Sequence, residues 1–209
     1  MRLQLALAPS VLRESPPDFA PRTAAGLDVA YATDSPVVAA AVVTVSVATG
    51  EVLESATAVG EAEFPYVPGL FAFRELPKLL EAFAQLTTTP DLLLADGHGI
   101  AHPRRFGLAC HLGVATGLPT IGVAKTPLGH YDPPGPDRGA RTPLVDGDEE
   151  VGAALRTQRD VKPIFVSIGH RVDLDTACAQ VLALSPKYRL PETTRQADQL
   201  SRATLRAHL

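Results

Sequence analysis

Asp96 closes a short apolar run, Leu92 to Ala95, and is followed at once by Gly97-His98-Gly99 and then by His102, Arg104 and Arg105. Pro90 on one side and the glycines on the other bound this run, which reads as a buried strand. A carboxylate at the carboxyl end of such a strand, with glycines behind it that let backbone approach a ligand, lies where open α/β sheets bind their ligands. Acceptor, turn, imidazole and two guanidiniums in close succession suit a site that holds a cation and a phosphate together. The same residues also make an ordinary strand end in a solvated loop, with Asp96 capping the next helix, and alone they leave both readings open.

Other residues carry chemistry of the same kind. Asp28 lies in the middle of the apolar segment TAAGLDVAY, residues 23 to 31. A charge there is costly unless it is paired, bound to a cation, or placed at a sheet edge or hydrogen-bonded turn. Glu75 sits four residues after Phe71 on a helix predicted from about Leu70 to Leu86, with Arg74 beside it. It could face the same site as the two aspartates, or pair with Arg74 or Lys78 at the surface. Lys125 ends a second buried run, LPTIGVA, and a lysine at that rim could hold a phosphate oxygen or a water. Pro65 and Pro68 bracket Tyr66-Val67 ahead of Gly69, which stiffens a loop and exposes an aromatic suited to stacking on bases, unless Tyr66 packs under that loop.

The elements that must position these groups follow from the apolar patterns. Residues 1 to 22 contain prolines and mixed polarity and suggest a short helix or irregular arm. Thr23 to Tyr31, Val37 to Val47 and Glu51 to Val59 read as three strands of an antiparallel meander, the last with one wet face. Phe106 to Thr116 reads as a helix, Leu118 to Ala124 as a strand, and Leu128 to Pro143, rich in Gly, Pro, Asp and Arg, as an exposed loop. Glu150 to Thr157 and Pro163 to Ile168 read as strands, and Asp173 or Asp175 caps a helix through Ala183. His170, at a strand end, reads as structural more readily than as a substrate contact. The last segment, Leu190 to Leu209, reads as a polar helix with a solvated charged face carrying Arg195 and Asp198.

Composition limits the function classes. With 209 residues, 45% hydrophobic and 20% charged, the chain suits one soluble domain, residues 1–209. No segment has the length of a membrane span or the form of a secretory signal. Cys110 and Cys178 lie far apart without metal-ligand spacing, as structural thiols of a reducing cytoplasm do. A net charge of −4 argues against a polyanion partner, but the deficit is local. Residues 1 to 90 hold five Lys and Arg against ten Asp and Glu, whereas 91 to 209 hold fourteen against thirteen. Cations loaded onto the carboxylates would shift the balance further, so a nucleic-acid partner stays open.

A three-strand meander followed by helix, strand, helix and strand gives a mixed α/β sheet with helices on both faces, in which Asp28 and Asp96 become neighbours. That is the arrangement of the ribonuclease H-like fold. Hydrolysis of a phosphodiester needs a nucleophilic water and charge neutralisation at phosphorus, and hard cations held by carboxylates provide both.

The residues also carry a resemblance to the endonuclease V family from about Gly26 to Ala197. It rests on GLDVAY (Gly26 to Tyr31), FPYVPGLFAFREL (Phe64 to Leu76), DGHGIAHPRRFGLACHLG (Asp96 to Gly113), PTIGVAK (Pro119 to Lys125), IGHRVDLDTA (Ile168 to Ala177) and LPETTRQAD (Leu190 to Asp198). The resemblance implies a repair nuclease for deaminated bases in which Asp28, Glu75 and Asp96 ligate Mg²⁺, with Mn²⁺ able to substitute, and Lys125 assists at the phosphate or the attacking water. It implies that the PYVP loop, with Tyr66 and Pro68, is a wedge whose Tyr66 fills the gap left by a turned-out nucleotide, that backbone around Gly69, Phe71 and Gly97 lines the hypoxanthine pocket, and that His102 lies near the metal site. The cut would fall one nucleotide to the 3′ side of the lesion and leave 3′-hydroxyl and 5′-phosphate ends. Asp198 stands where some family members have a histidine, which leaves its role as ligand or supporting group open. The implied partner is DNA containing deaminated bases, for a monomeric cytoplasmic enzyme without a membrane segment. The alternatives are an endoribonuclease acting on inosine in RNA, a non-catalytic inosine-binding protein, and a small-molecule phosphohydrolase.

Overall fold

The computed structural model of the chain describes residues 1–62, 64, 65, 67 and 69–209. Helix α1 spans Arg2–Leu7 and leads into an irregular arm. Strands β1 (Thr23–Tyr31), β2 (Val37–Ser46) and β3 (Val52–Glu61) follow, then α2 (Phe71–Phe83), β4 (Leu92–Asp96), α3 (Leu108–Thr116) and β5 (Thr120–Ala124). The remainder is β6 (Arg141–Asp146), β7 (Glu149–Leu155), β8 (Ile164–His170), α4 (Leu174–Ala183) and α5 (Glu192–His208). All eight strands form one mixed sheet in the order β3-β2-β1-β4-β5-β8-β7-β6, the α/β architecture of the ribonuclease H-like fold.

β2 runs antiparallel to β1 and β3, whereas β4 lies parallel to β1 and to β5. Leu27 pairs with Ala95, so Asp28 and Asp96 come next along two adjacent parallel strands, on the same face. Val123 lies beside Asp96, which brings Lys125 to the same rim two residues on. β2 is buried from Val38 to Val45, and helices on both faces account for its uninterrupted apolar run. On one face Leu79 and Ala82 of α2 pack over Leu27, Val42 and Leu93. On the other, α5 crosses β1 and β2.

The structure differs from the sequence expectations in three places. The segment predicted as a loop from Leu128 to Pro143 contains the start of β6, and His130 bridges to Val145. Pro143 hides this strand from a pattern reading, yet β6 is the outermost strand, where a missing N–H is tolerated. α2 and α3 are shorter than predicted, ending at Phe83 and beginning at Leu108. The largest correction concerns α5, which is a packed helix with Thr193, Thr194, Ala197, Ser201 and Leu205 buried. Thr194 Oγ1 donates to the Pro191 carbonyl at 3.2 Å and Ser201 Oγ to Asp28 at 2.7 Å, whereas the buried Thr193 hydroxyl has no partner among the described residues. Gly26 makes the packing possible: a Cβ there would lie 2.2 Å from the Thr193 carbonyl.

Candidate active site

A cleft of about 540 Å³ opens at the carboxyl ends of β1, β4 and β5 and is lined by Asp28, Tyr31, Phe71, Glu75, Asp96, Lys125, Asp198 and Arg202 among others. Each element delivers one group: β1 brings Asp28, α2 brings Glu75, β4 ends on Asp96, β5 runs into Lys125, and α5 closes the side with Asp198.

The carboxylates are held by protein partners. Ser201 Oγ donates to Asp28 Oδ2 at 2.7 Å, Tyr31 Oη donates to Glu75 Oε1 at 2.5 Å, and Lys125 Nζ pairs with Asp96 Oδ2. Asp198 is paired with Arg202 at 3.0 Å, one helical turn on. Burial pushes the Asp28 carboxyl up to about 6; the Ser201 hydrogen bond opposes the rise, and the charges of Asp96 and Asp198 add to it. Glu75 is 3% exposed, and burial holds it well above the usual carboxylate range, with Asp28 and Asp96 raising it further against the Tyr31 hydrogen bond. Partial burial opposes the charge on Lys125, but its hydrogen bond and attraction to Asp96, with Asp28 and Asp198 beyond, raise its pKa above the ordinary value. It therefore enters the cleft as a protonated donor.

Among the described residues no three acidic, histidine or cysteine groups already close around one point as a finished metal cage. The donor set nonetheless suits a hard cation: the anionic groups lining the cleft are all carboxylates, with no histidine or cysteine among the described residues there, and burial, helped by their mutual repulsion, raises Asp28 and Glu75.

The sequence profile of endonuclease V matches residues 6–199. The chain belongs to the endonuclease V family. It is 62% identical to the endonuclease V of Nocardia farcinica over 192 residues, which cover 92% of this chain and 84% of that relative. It superposes on the crystal structure of endonuclease V from Streptomyces avermitilis with a TM-score of 0.94 at 56% identity, covering 99% of this chain and 92% of the other. Against endonuclease V from Ciona intestinalis, solved in complex with a 24-mer DNA containing an inosine followed by a ribo-adenosine, the TM-score is 0.87 at 27% identity, covering 100% and 97%. The chain is a nuclease of this family.

The candidate residues do not all share the cleft. Asp28, Glu75, Asp96, Lys125, Asp198 and Phe71 share the cleft. Gly69 and His102 lie outside its lining and bind each other, the His102 ring nitrogen Nε2 standing 3.0 Å from the Gly69 carbonyl. The Arg104 backbone N–H donates to His102 Nδ1 at 3.1 Å, which assigns the ring proton to Nε2 and makes it the donor to Gly69. Gly97 donates its N–H to Val123 at 3.1 Å and thereby fixes the end of β4. Tyr66 and Pro68 lie outside the described residues.

Arg104 and Arg105, read from sequence as phosphate-holding groups, do not line the cleft. Arg105 pairs with Asp146 at 2.8 Å and Glu149 at 2.7 Å, tying the β6–β7 hairpin to the loop after β4, and Arg104 turns toward Gln4. His170 is structural, accepting from the Leu12 N–H at 3.2 Å. Sequence reasoning missed Tyr31 and Ser201. Each lies three residues beyond a flagged acid, Tyr31 after Asp28 and Ser201 after Asp198, but only the tertiary packing aims them at Glu75 and Asp28.

Proposed function

We propose that the chain is a divalent-cation-dependent DNA repair endonuclease that recognises deaminated purines, deoxyinosine above all, with residues 1–209 acting as one catalytic domain. It hydrolyses the phosphodiester one nucleotide to the 3′ side of the lesion. The observation that carries this reading is the convergence of Asp28, Glu75 and Asp96 with Lys125 on one cleft of an endonuclease V fold. Asp28, Glu75 and Asp96 would hold Mg²⁺, with Mn²⁺ as a substitute and Asp198 adjoining. A hard cation supplies Lewis-acid stabilisation of phosphate charge and lowers the pKa of a bound water.

The chain's own groups do the rest. The water oxygen bonds to phosphorus while the bond from phosphorus to the 3′ oxygen breaks, giving 5′-phosphate and 3′-hydroxyl ends. Lys125, kept protonated beside Asp96, offers a cationic donor to the charge that builds on the phosphate oxygens. Ser201 and Tyr31 hold two of the three carboxylates in place. Tyr66 and Pro68 act as the wedge, backbone around Gly69, Phe71 and Gly97 reads the turned-out base by leaving the wrong edge unpaired, and His102 supports the Gly69 turn. The inosine-containing DNA bound by the Ciona relative supports this substrate class.

That same DNA carries a ribo-adenosine after the inosine, which favours a second reading in which the enzyme cuts inosine-containing RNA. No helix among the described residues is long and apolar enough to cross a membrane, and the reading includes a monomer in the cytoplasm.

The deciding experiment is nicking of a labelled duplex with one inosine, against the same duplex with adenosine, with and without Mg²⁺. Cleavage only with the metal and only 3′ of the inosine supports the reading, and Asp96→Ala abolishes it. Clean cutting of an inosine RNA alone transfers the function to RNA. Metal-independent cleavage, or full activity of Asp96→Ala, overturns the mechanism.

A further inference from the structure

Helix α1 is inverted relative to an ordinary amphipathic surface helix. Leu3 and Leu5 are exposed, and the one buried residue is Gln4, 1% accessible. A buried amide is retained only with its hydrogen bonds made. Gln4 Nε2 donates to the Phe106 carbonyl at 3.0 Å and to the Gly69 carbonyl at 3.3 Å, and Gln4 Oε1 accepts from Arg104 Nε at 2.7 Å. Arg104 then donates through Nη2 to the same Gly69 carbonyl, to which His102 Nε2 also donates. One backbone oxygen thus receives donors from the N-terminal helix and from the loop after β4, although a carbonyl has only two lone pairs.

Gly69 has a left-handed conformation, φ +76°, and lies two residues before α2, the helix that brings Phe71 and Glu75 to the cleft. Fixing its carbonyl from three sides fixes where α2 begins. Released from these donors, a turn with no side chain of its own regains backbone freedom.

We infer that Gln4 is a positioning residue for lesion recognition: acting through Arg104 and the Gly69 carbonyl, it holds the turn before α2 in the conformation that receives the base. The inference rests on the proposed function and deepens it. A preformed turn lowers the ordering cost of binding, so its loss falls on KM and selectivity more than on kcat.

The test compares the parent with Gln4→Met, which keeps the shape and removes both kinds of hydrogen bond, with Arg104→Met, with the double variant, and with Leu5→Ala as an exposed control on the same helix. Steady-state nicking is measured on inosine and adenosine duplexes, alongside hydrogen exchange of residues 67–76 in the free protein. Gln4→Met is expected to raise KM for the inosine strand roughly tenfold with kcat within about twofold, to narrow the inosine-to-adenosine ratio, and to speed exchange around Gly69. The double variant is expected to be no worse than the poorer single variant, because both act through one carbonyl. Unchanged KM and selectivity in Gln4→Met, or fully additive losses, overturn the inference while the parent still nicks at inosine. A parent that does not distinguish inosine from adenosine overturns the functional reading, and the recognition role falls with it.

Discussion

Ser201, on the last helix, donates a 2.7 Å hydrogen bond to Asp28, in the middle of the first strand, across 173 positions of sequence. The same hydroxyl lies 3.0 Å from the Asp198 carbonyl, a second acceptor within its own helix, and its one proton goes to the nearer carboxylate. Asp28 is thereby oriented by α5 as well as by its own strand. Groups that orient a metal-binding carboxylate typically change metal affinity or activity by about 10- to 100-fold when removed. Ser201→Ala is therefore expected to raise the Mg²⁺ concentration for half-maximal nicking by about tenfold, with little loss of fold. A metal titration of the nicking rate checks this, and an unchanged midpoint would show that Asp28 is positioned by β1 alone.

Tyr31 stands to Glu75 as Ser201 stands to Asp28, but the carboxylate it holds is more deeply buried. Its ring is flanked by Phe71 at 6.4 Å and by the Arg74 guanidinium at 5.1 Å, and its hydroxyl bonds Glu75 at 2.5 Å. Tyr31→Phe keeps the ring and strands a buried carboxyl without its donor, at about 1–3 kcal/mol. For a chain of this size that corresponds to a fall in Tm of roughly 2–12 °C. Nicking is expected to fall at least about tenfold at temperatures where the variant is fully folded. A calorimetric melt and a rate measured well below it separate the two effects. Loss of stability without loss of rate would confine Tyr31 to packing.

The legibility of this site in the sequence follows the range of the interactions. Asp96 and Lys125 could be read because strand ends in an α/β sheet converge on one rim, Asp28 because a charge inside an apolar strand calls for a partner, and Glu75 because helical spacing placed it beside Phe71. Tyr31 and Ser201 could not, since their partners are set by how α2 and α5 lie on the sheet. α5 looked solvated because Thr193, Thr194 and Ser201 are polar, although Thr194 buries its hydroxyl against the Pro191 carbonyl and Ser201 against Asp28. β6 was hidden by Pro143, and Arg104 and Arg105 looked like anion ligands because pattern cannot tell a guanidinium facing solvent from one facing Gln4 or Glu149.

His111 makes the fold acid-sensitive away from the cleft. Its ring lies 4.9 Å from that of Phe73 and 4.4 Å from that of Phe106, and its Nε2 has no hydrogen-bond partner among the described residues. Burial, with a smaller contribution from His102, pushes its pKa down from 6.5 to about 4. Between those values the unfolded chain binds the proton and the folded chain does not, so the contribution of His111 to stability is complete above about pH 6.5 and declines as the pH falls toward 4. At pH 5 the loss is about 2 kcal/mol, or roughly 4–8 °C in Tm. His111→Leu is expected to shrink the Tm difference between pH 7 and pH 5 by several degrees. Part of the slope remains, because His98 is also pushed down to about 4 by burial. An identical slope in the variant would place the acid sensitivity elsewhere.

Gly26 links the stability of the sheet to the geometry of the cleft. A Cβ at this position would stand 2.2 Å from the Thr193 carbonyl carbon and oxygen and 2.6 Å from the Thr194 nitrogen. These are backbone atoms, so no side-chain rotation relieves the clash, and α5 must lift from β1. The helix carries Ser201, Asp198 and Arg202, so the displacement moves the donor to Asp28 and one wall of the cleft together. Gly26→Ala is expected to destabilise by about 3 kcal/mol, as overpacking against rigid backbone does. Its nicking rate per folded molecule should fall at least about tenfold even at temperatures where the protein remains folded. Circular dichroism melts combined with rates at low temperature check both parts. If the rate per folded molecule stays at the parent's level, α5 is a cover for the sheet and its contact with Asp28 does not govern the chemistry.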